Sequence, residues 1–270
     1  MTTLSIDRFG TLSLDELLAH AELLTRFDRK YLLDASQASG LLGGLDPRTR
    51  VLAIDGRNRF RYESVYFDTP CLLSYRQSAH GRRRRFKVRT RSYLDSGQAF
   101  LEVKVRGDRE ITVKDRMAHD PAARDRLTDP GRRYAAETLD RHGLDPSVAG
   151  DLAPALVTRY RRATLVPPEP DVRVTVDTDL TWIDGRRALS LHELVIVETK
   201  SGLQPSGVDR RLWRAGHRPV SVSKYATGLA AMRDLPCSKW TRVLRRHFST
   251  DAPQGRSDRN PSPLELALAG

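Results

Sequence analysis

The amino-acid sequence predicts an α+β protein built chiefly on antiparallel strands, and three features carry that expectation. From Tyr62 onward, segment after segment alternates apolar and polar residues with the period of two that a strand imposes. Three of these segments, 84–93, 100–106 and 109–115, are joined through the turns Asp95-Ser96-Gly97 and Gly107-Asp108, short enough to connect antiparallel neighbours. Helical spacing, by contrast, is confined to the two ends of the chain and to one stretch in the middle.

Residues 13–25 read as an amphipathic helix, with Ser13 and Glu16 in a capping-box pattern and Leu14, Leu17, Leu18, Ala21 and Leu24 on one face. A strand follows over 26–33. Residues 35–45 form a short helix that ends at Gly43-Gly44, ahead of an Asp46-Pro47 loop. The strand at 63–68 stops at Thr69-Pro70. Residues 120–145 are more helical, punctuated by Pro121, Pro130 and Gly143. Strands resume at 155–165, 171–182 and 191–200, and 208–215 and 224–234 read as helices. After Phe248 the chain is rich in Ser, Pro, Asp and Gly, so 249–270 is expected to be a disordered tail. With no internal repeat and no linker, 1–248 reads as a single domain.

Composition narrows the function classes. A chain of 270 residues with 39% hydrophobic and 30% charged residues suits a folded globular protein. No run approaches the roughly 20 apolar residues of a membrane span, and the N-terminus lacks the layout of a secretory signal. Cys71 and Cys237 are the only cysteines, which gives neither a disulfide framework nor a cysteine metal site, and the expected compartment is the cytoplasm. The net charge of +12 and pI near 10.1 favour a polyanionic partner: nucleic acid, an anionic membrane or free polyphosphate. Only seven of the 46 basic residues are lysines (30, 87, 104, 114, 200, 224 and 239). Where either residue serves, a GC-rich genome drifts toward Arg, so a retained Lys marks a position that needs a compact ammonium.

Sorting each strand by parity gathers the charge. Arg85, Lys87, Arg89 and Arg91 share a face opposite Phe86 and Val88. Glu102, Lys104 and Arg106 oppose Leu101, Val103 and Val105, and Thr112 and Lys114 oppose Ile111 and Val113. Arg173, Thr175 and Asp177 oppose Val172, Val174 and Val176. The segment 158–162 is ambiguous, because Tyr160 and Arg162 take one face and Arg159 and Arg161 the other. The 193–199 segment reads as buried on both sides, with Glu198 and Lys200 emerging at one end. Charge on the wet face of an antiparallel sheet usually means solvation alone, but such faces mix signs, since like charges opposite one another destabilise. Here Arg and Lys repeat with few carboxylates between them, and five of the seven lysines fall in strand segments. An anion that neutralises the face explains both.

The remaining signals are weak. The seven histidines show no metal-ligand spacing, and no Gly-rich nucleotide loop appears. The four arginines at 82–85 after Gly81 fit a nucleic-acid patch or a solvated basic loop, and the loop is preferred.

Nine segments in order, RFDRKYLLD (26–34), SVYFDTP (64–70), RRRFKVRTRSY (83–93), FLEVKVR (100–106), TVKDR (112–116), YRRA (160–163), VRVTVDTDL (172–180), IVETK (196–200) and SKYATG (223–228), make the chain resemble the VTC domain. That is the catalytic domain of polyphosphate polymerases, within the triphosphate tunnel metalloenzyme (CYTH-like) superfamily. The resemblance covers about 26–230. It implies a closed antiparallel barrel of about eight strands around a basic-lined tunnel, with helices packed outside. It also implies that Lys30, Arg89, Arg91, Lys104, Lys114, Arg162, Arg173 and Lys224 line the tunnel as catalytic phosphate-holding groups. Tyr160, Ser223, Lys87 and Lys200 then add substrate contacts, and Glu198 holds Mn²⁺ or Mg²⁺, hard cations that prefer oxygen ligands.

The implied reaction transfers the γ-phosphate of ATP to inorganic polyphosphate. Hydrolysis of a triphosphate or tripolyphosphate and simple polyphosphate binding are the alternatives, and no nucleic acid or membrane partner is expected. The hydrolytic branches carry Glu-x-Glu-x-Lys where this chain has Arg26, Asp28 and Lys30. That difference favours the polymerase branch and leaves Asp28 as a second carboxylate, in or beside the metal site. No SPX domain or membrane helix accompanies the match, so a free-standing catalytic unit is expected.

Overall fold

The computed structural model describes residues 4–19, 27–106 and 112–248. The later part of the helix expected over 13–25, Arg26, the Gly107-Asp108 turn with the three residues after it, and the 249–270 tail lie outside the described residues.

The strands are β1 (Gly10–Leu12), β2 (Phe27–Asp34), β3 (Arg50–Leu52), β4 (Phe60–Asp68), β5 (Arg85–Tyr93) and β6 (Gln98–Arg106). They continue with β7 (Thr112–His119), β8 (Ala153–Val166), β9 (Arg173–Asp184), β10 (Arg187–Leu191) and β11 (Leu194–Ser201). The helices are α1 (Leu14–Ala19), α2 (Ala35–Gly43), α3 (Leu73–Ala79), α4 (Asp129–Arg141), α5 (Gly207–Arg214), α6 (Lys224–Arg233) and α7 (Thr241–His247). Among the described residues no helix is long and apolar enough to cross a membrane, and both cysteines are free thiols.

All the strands join one 11-stranded sheet whose main path runs β2-β11-β9-β8-β4-β5-β6-β7, antiparallel throughout. The short β3 adds to β8, β1 pairs with β3 in parallel, and β10 forms a hairpin with β9.

The closed barrel expected from the resemblance is not formed. The end strands β2 and β7 are unpaired with each other, so the sheet is open. Part of the reason lies at β2, where the Val220 amide donates to the Lys30 carbonyl at 2.8 Å. A loop segment thus takes up bonding capacity that a closing strand would have used. The open sheet is nonetheless strongly curled. Six strand spacings separate β2 from β6, about 29 Å on a flat sheet, yet the Lys104 ammonium on β6 senses Asp28, Lys30 and Glu198 on β2 and β11. The result is a trough rather than a tunnel.

A β-bulge resolves the ambiguous 158–162 segment. Arg159 pairs with Thr181 and Arg161 with Thr178, so β9 carries the extra residue, and Asp179 there takes a φ of 53°. Tyr160 and Arg162 face the trough, whereas Arg159 reaches Glu63 at 2.7 Å and Arg161 reaches Asp179 at 3.5 Å.

Two apolar cores lie on the convex side. One seats α2 and α5 on Tyr31, Leu33, Leu165, Val174, Val176, Val195 and Val197. The other seats α4 on Val65, Phe67, Phe86, Val88, Leu101 and Val103. A third core lies on the concave side, contrary to the expectation that helices pack only outside. There α6 covers Leu32, Tyr66, Leu180, Trp182 and Ile196 and fills one end of the trough. Gly228 permits this seating, because a Cβ at that position would lie 2.1 Å from Trp182 Cδ1. The Trp182 indole N–H donates to the Lys224 carbonyl at 2.7 Å. Asp68 fixes the same helix from the side: it accepts the Ser74 and Tyr75 amides at 2.9 Å each and the Tyr225 hydroxyl. The N-terminus of α6, with Ser223 and Lys224, is therefore held over the open part of the trough.

Candidate phosphate-chain site

Beyond α6 the concave face turns from apolar to charged, and every side chain named from the resemblance lies on this face or at the start of α6. Register sets the order. Lys30 lies opposite Glu198 and Asp28 opposite Lys200, which in turn opposes Arg173. Arg162 lies opposite Asp177, Arg89 opposite Glu102, and Lys87 opposite Lys104, itself paired with Lys114.

The cations gather round buried carboxylates. Glu102, 2% exposed, forms ion pairs with Arg89 Nη2 at 2.6 Å, Lys114 Nζ at 2.8 Å and Arg91 Nη1 at 3.8 Å. Burial pushes its carboxyl up, but Arg89, Arg91 and Lys114 outweigh that and hold it far below the usual range. Asp177 is gripped by Arg162 in a two-pronged contact (2.6 and 2.8 Å) and by Lys224. Glu198 pairs with Lys30 at 3.1 Å and with Lys200, and Lys200 also reaches Asp28 at 2.9 Å. Burial opposes ionisation of Glu198 too, and Lys30, Lys200 and Arg162 overcome it.

Aromatic rings support the guanidinium groups. Arg162 lies 5.5 Å from the Tyr62 centroid and 5.4 Å from that of Tyr160, and the Lys224 ammonium lies 4.6 Å from Tyr160. The Tyr160 hydroxyl, buried among Arg91, Arg162 and Lys224, has no hydrogen-bond partner among the described residues. Burial raises its pKa, yet those three cations bring it below the ordinary phenol value.

Glu102 and Asp177 were not among the site residues that sequence reasoning selected. Parity had already put them on the basic face, so the signal was present. The reading that few carboxylates interrupt the cations is corrected here: Asp28, Glu102, Asp177 and Glu198 all do. Cations still prevail, with Lys30, Lys87, Arg89, Arg91, Lys104, Lys114, Arg162, Arg173, Lys200 and Lys224 against those four.

Lys87 and Lys104 are where the excess concentrates. They face each other across β5 and β6, and neither is within ion-pair reach of a carboxylate among the described residues. Lys87 donates to the Ser223 hydroxyl at 2.9 Å. Lys104 is exposed along its side chain, yet desolvation by the surrounding protein holds its pKa below the ordinary lysine value.

The VTC domain family matches residues 25–233. The chain belongs to that family. No curated protein matches it. Among solved structures, it resembles HpAC1 from Hippeastrum, described as a candidate adenylyl cyclase with a dominant triphosphatase activity. That likeness has 18% identity and a TM-score of 0.49, over 80% of this chain and 100% of the other. It also resembles a conserved hypothetical protein from Pyrococcus furiosus (12% identity, TM-score 0.36, 71% and 88% coverage). Protein PH1012 from Pyrococcus horikoshii OT3 is a third (13% identity, TM-score 0.37, 71% and 88% coverage). These likenesses are distant, and the family assignment rests on the VTC match.

As a VTC domain the chain carries an activity on phosphate chains, of the transfer or hydrolysis type and with a divalent metal. The residues present fit such an ion in one way. Among the described residues no group of three His, Cys, Asp or Glu side chains could hold a metal alone. Glu198 is an ionised oxygen donor in the trough, tied through Lys200 to Asp28. One carboxylate, water and substrate phosphates make a suitable donor set for a small hard cation.

Lys87 gives this VTC domain a pH signature. Burial, then Lys104, Arg89 and Lys30, push its ammonium down to about 7. An anion binds the protonated form, so chain affinity is present below pH 7 and declines above it. Relative to Lys87→Arg, whose charge does not titrate, wild-type affinity for tripolyphosphate should fall about tenfold between pH 6 and pH 8, as read by calorimetry. Stability runs the other way. Between pH 7 and about 10.4 the unfolded chain holds a proton that the folded one lacks, so this group's contribution rises with pH.

Proposed function

We propose that this VTC domain is a polyphosphate polymerase that transfers the γ-phosphate of ATP to a polyphosphate chain. The observation that carries the reading is the concave face itself, where cations from seven of the strands outnumber the carboxylates and Lys87 and Lys104 are opposed without a carboxylate between them. Holding like charges together is unfavourable unless a polyanion offsets it, and a row of such positions suits a chain better than a single phosphate.

Phosphoryl transfer asks a protein mainly for positioning and for neutralisation of charge on the moving group. An oxygen of the acceptor's terminal phosphate attacks the γ-phosphorus, the bond to the β-phosphate oxygen breaks, and ADP leaves with that electron pair. No nucleophilic side chain is required. Arg89, Arg91 and Arg162 grip pairs of phosphate oxygens in their forks, while Lys30, Lys104, Lys114 and Lys224 act as point charges. Tyr160 offers to a phosphate oxygen a hydroxyl that has no partner among the described residues. Glu198 would hold Mn²⁺ or Mg²⁺, which when bound neutralises phosphate oxygens on the leaving side. Asp28, through Lys200, orients Glu198.

The test is purified protein with ATP, Mn²⁺ and a short polyphosphate primer, followed by ADP release and a polyphosphate gel. A lengthening ladder with one ADP per added phosphate is expected. Orthophosphate without a ladder would assign the hydrolase, and tight chain binding without turnover would assign a binding module.

A further inference from the structure

The family match ends at residue 233, and the basic segment after it is not part of that assignment. Residues 235–248 carry Lys239, Arg242, Arg245 and Arg246 and not one Asp or Glu. On α7, Arg242, Arg245 and Arg246 share a face through their spacing of three and four, and all three are exposed, while Val243, Leu244 and Phe248 pack inward. Residues three and four apart on a helix are neighbours, so the three positive charges lie side by side.

This face is continuous with the trough. The Lys239 ammonium is driven below its ordinary pKa by partial burial and then by Arg85 and Arg106. Those two residues lie opposite each other one strand repeat beyond Lys87 and Lys104, on the same face. A groove of about 770 Å³ is lined by Lys239, Arg242, Arg245 and Arg246 on one side and Val220 and Ser221 on the other. Ser221 is two residues from Ser223, whose hydroxyl holds Lys87. The basic row on β5 and β6 thus leads from the trough, by way of Arg85 and Arg106, toward Lys239 and α7.

We infer that the α7 face and its groove are a docking track for the distal part of a long phosphate chain, which makes the protein select long chains over short ones. The inference rests on the trough as a phosphate-chain site. A bare polyphosphate fits better than a nucleic acid, because binding to single strands draws on exposed aromatic rings. The rings beside this track, Trp240 and Phe248, are 2% and 6% exposed.

The test compares wild type with the triple variant Arg242→Gln/Arg245→Gln/Arg246→Gln, full chain, without ATP. Calorimetry would measure tripolyphosphate, a polyphosphate of about 100 units and a single-stranded oligonucleotide of equal charge, each at several salt concentrations. The track predicts that the variant loses tenfold or more in affinity for the long chain, with a shallower salt dependence, and keeps its tripolyphosphate affinity. Replacing the same three arginines with lysine should restore the long-chain affinity. Unchanged long-chain affinity in the Gln variant would overturn the track, as would a loss confined to the oligonucleotide. Failure of wild type to bind tripolyphosphate would instead refute the trough as a phosphate site, a separate readout from the first.

Discussion

Replacing Glu102 with Gln should cost the fold about 3–5 kcal/mol, the typical penalty for leaving buried charge without its partner. Glu102 is 2% exposed and balances Arg89, Lys114 and Arg91 at the centre of three neighbouring strands. The neutral amide leaves Arg89 and Arg91 facing each other at low exposure, with the more exposed Lys114 beside them. A second variant separates charge from shape: Glu102→Gln with Lys114→Met should be less destabilised than the sum of the two single changes, because one uncompensated cation goes with the carboxylate. Urea denaturation of the four proteins checks this, and a Glu102→Gln effect under about 0.5 kcal/mol would refute the assignment. Since Glu102, Asp177 and Glu198 all have depressed carboxyl pKa values, they contribute stability that is present above the ordinary carboxylate range near 4. That contribution should be lost as pH falls below it. Tripolyphosphate should restore part of the lost stability of Glu102→Gln, because it supplies the missing negative charge.

The second large effect is on turnover. Glu198→Gln should lower the metal-dependent rate at least 100-fold, about 2.7 kcal/mol of barrier, while chain binding stays equal or tightens. The asymmetry follows from the ion pairs, since removing the carboxylate frees Lys30 for phosphate oxygens and leaves Lys200 with Asp28 alone. Steady-state rates across a Mn²⁺ titration, together with metal-free binding of tripolyphosphate, separate the two consequences. Normal turnover in this variant would remove Glu198 from the metal site.

Strand parity made most of the trough legible in the sequence. Lys87, Arg89 and Arg91, Lys104, Arg173, Glu198 and Lys200 stand on the faces that alternation assigned to them, because β5, β6, β9 and β11 keep regular registers through those residues. Residues 158–162 resisted because the bulge sits in the partner strand, β9, where Asp179 absorbs the extra residue. Closure was not legible either. It depends on what meets the edge of β2, and the meeting segment at Val220 lies about 190 residues away in sequence. The inward position of α6 did leave a trace. Seven of its residues, from Tyr225 to Met232, are buried around nearly the whole helix, and a helix without a polar face belongs inside. Glu102 and Asp177 were visible by parity and passed over, because a carboxylate among cations reads as solvation until its burial is known.

The measurement that bears most directly on the trough as a phosphate-chain site is the thermal shift produced by tripolyphosphate, without metal, in wild type and in Lys104→Met. A ligand bound only to the folded state raises the melting temperature with its concentration. Lys104 has no carboxylate partner among the described residues whose loss would confuse the result. The wild type should be stabilised progressively, with half-saturation moving at least tenfold higher in Lys104→Met and little change in the unliganded melting temperature. Equal shifts in the two proteins would place the phosphate chain somewhere other than the concave face.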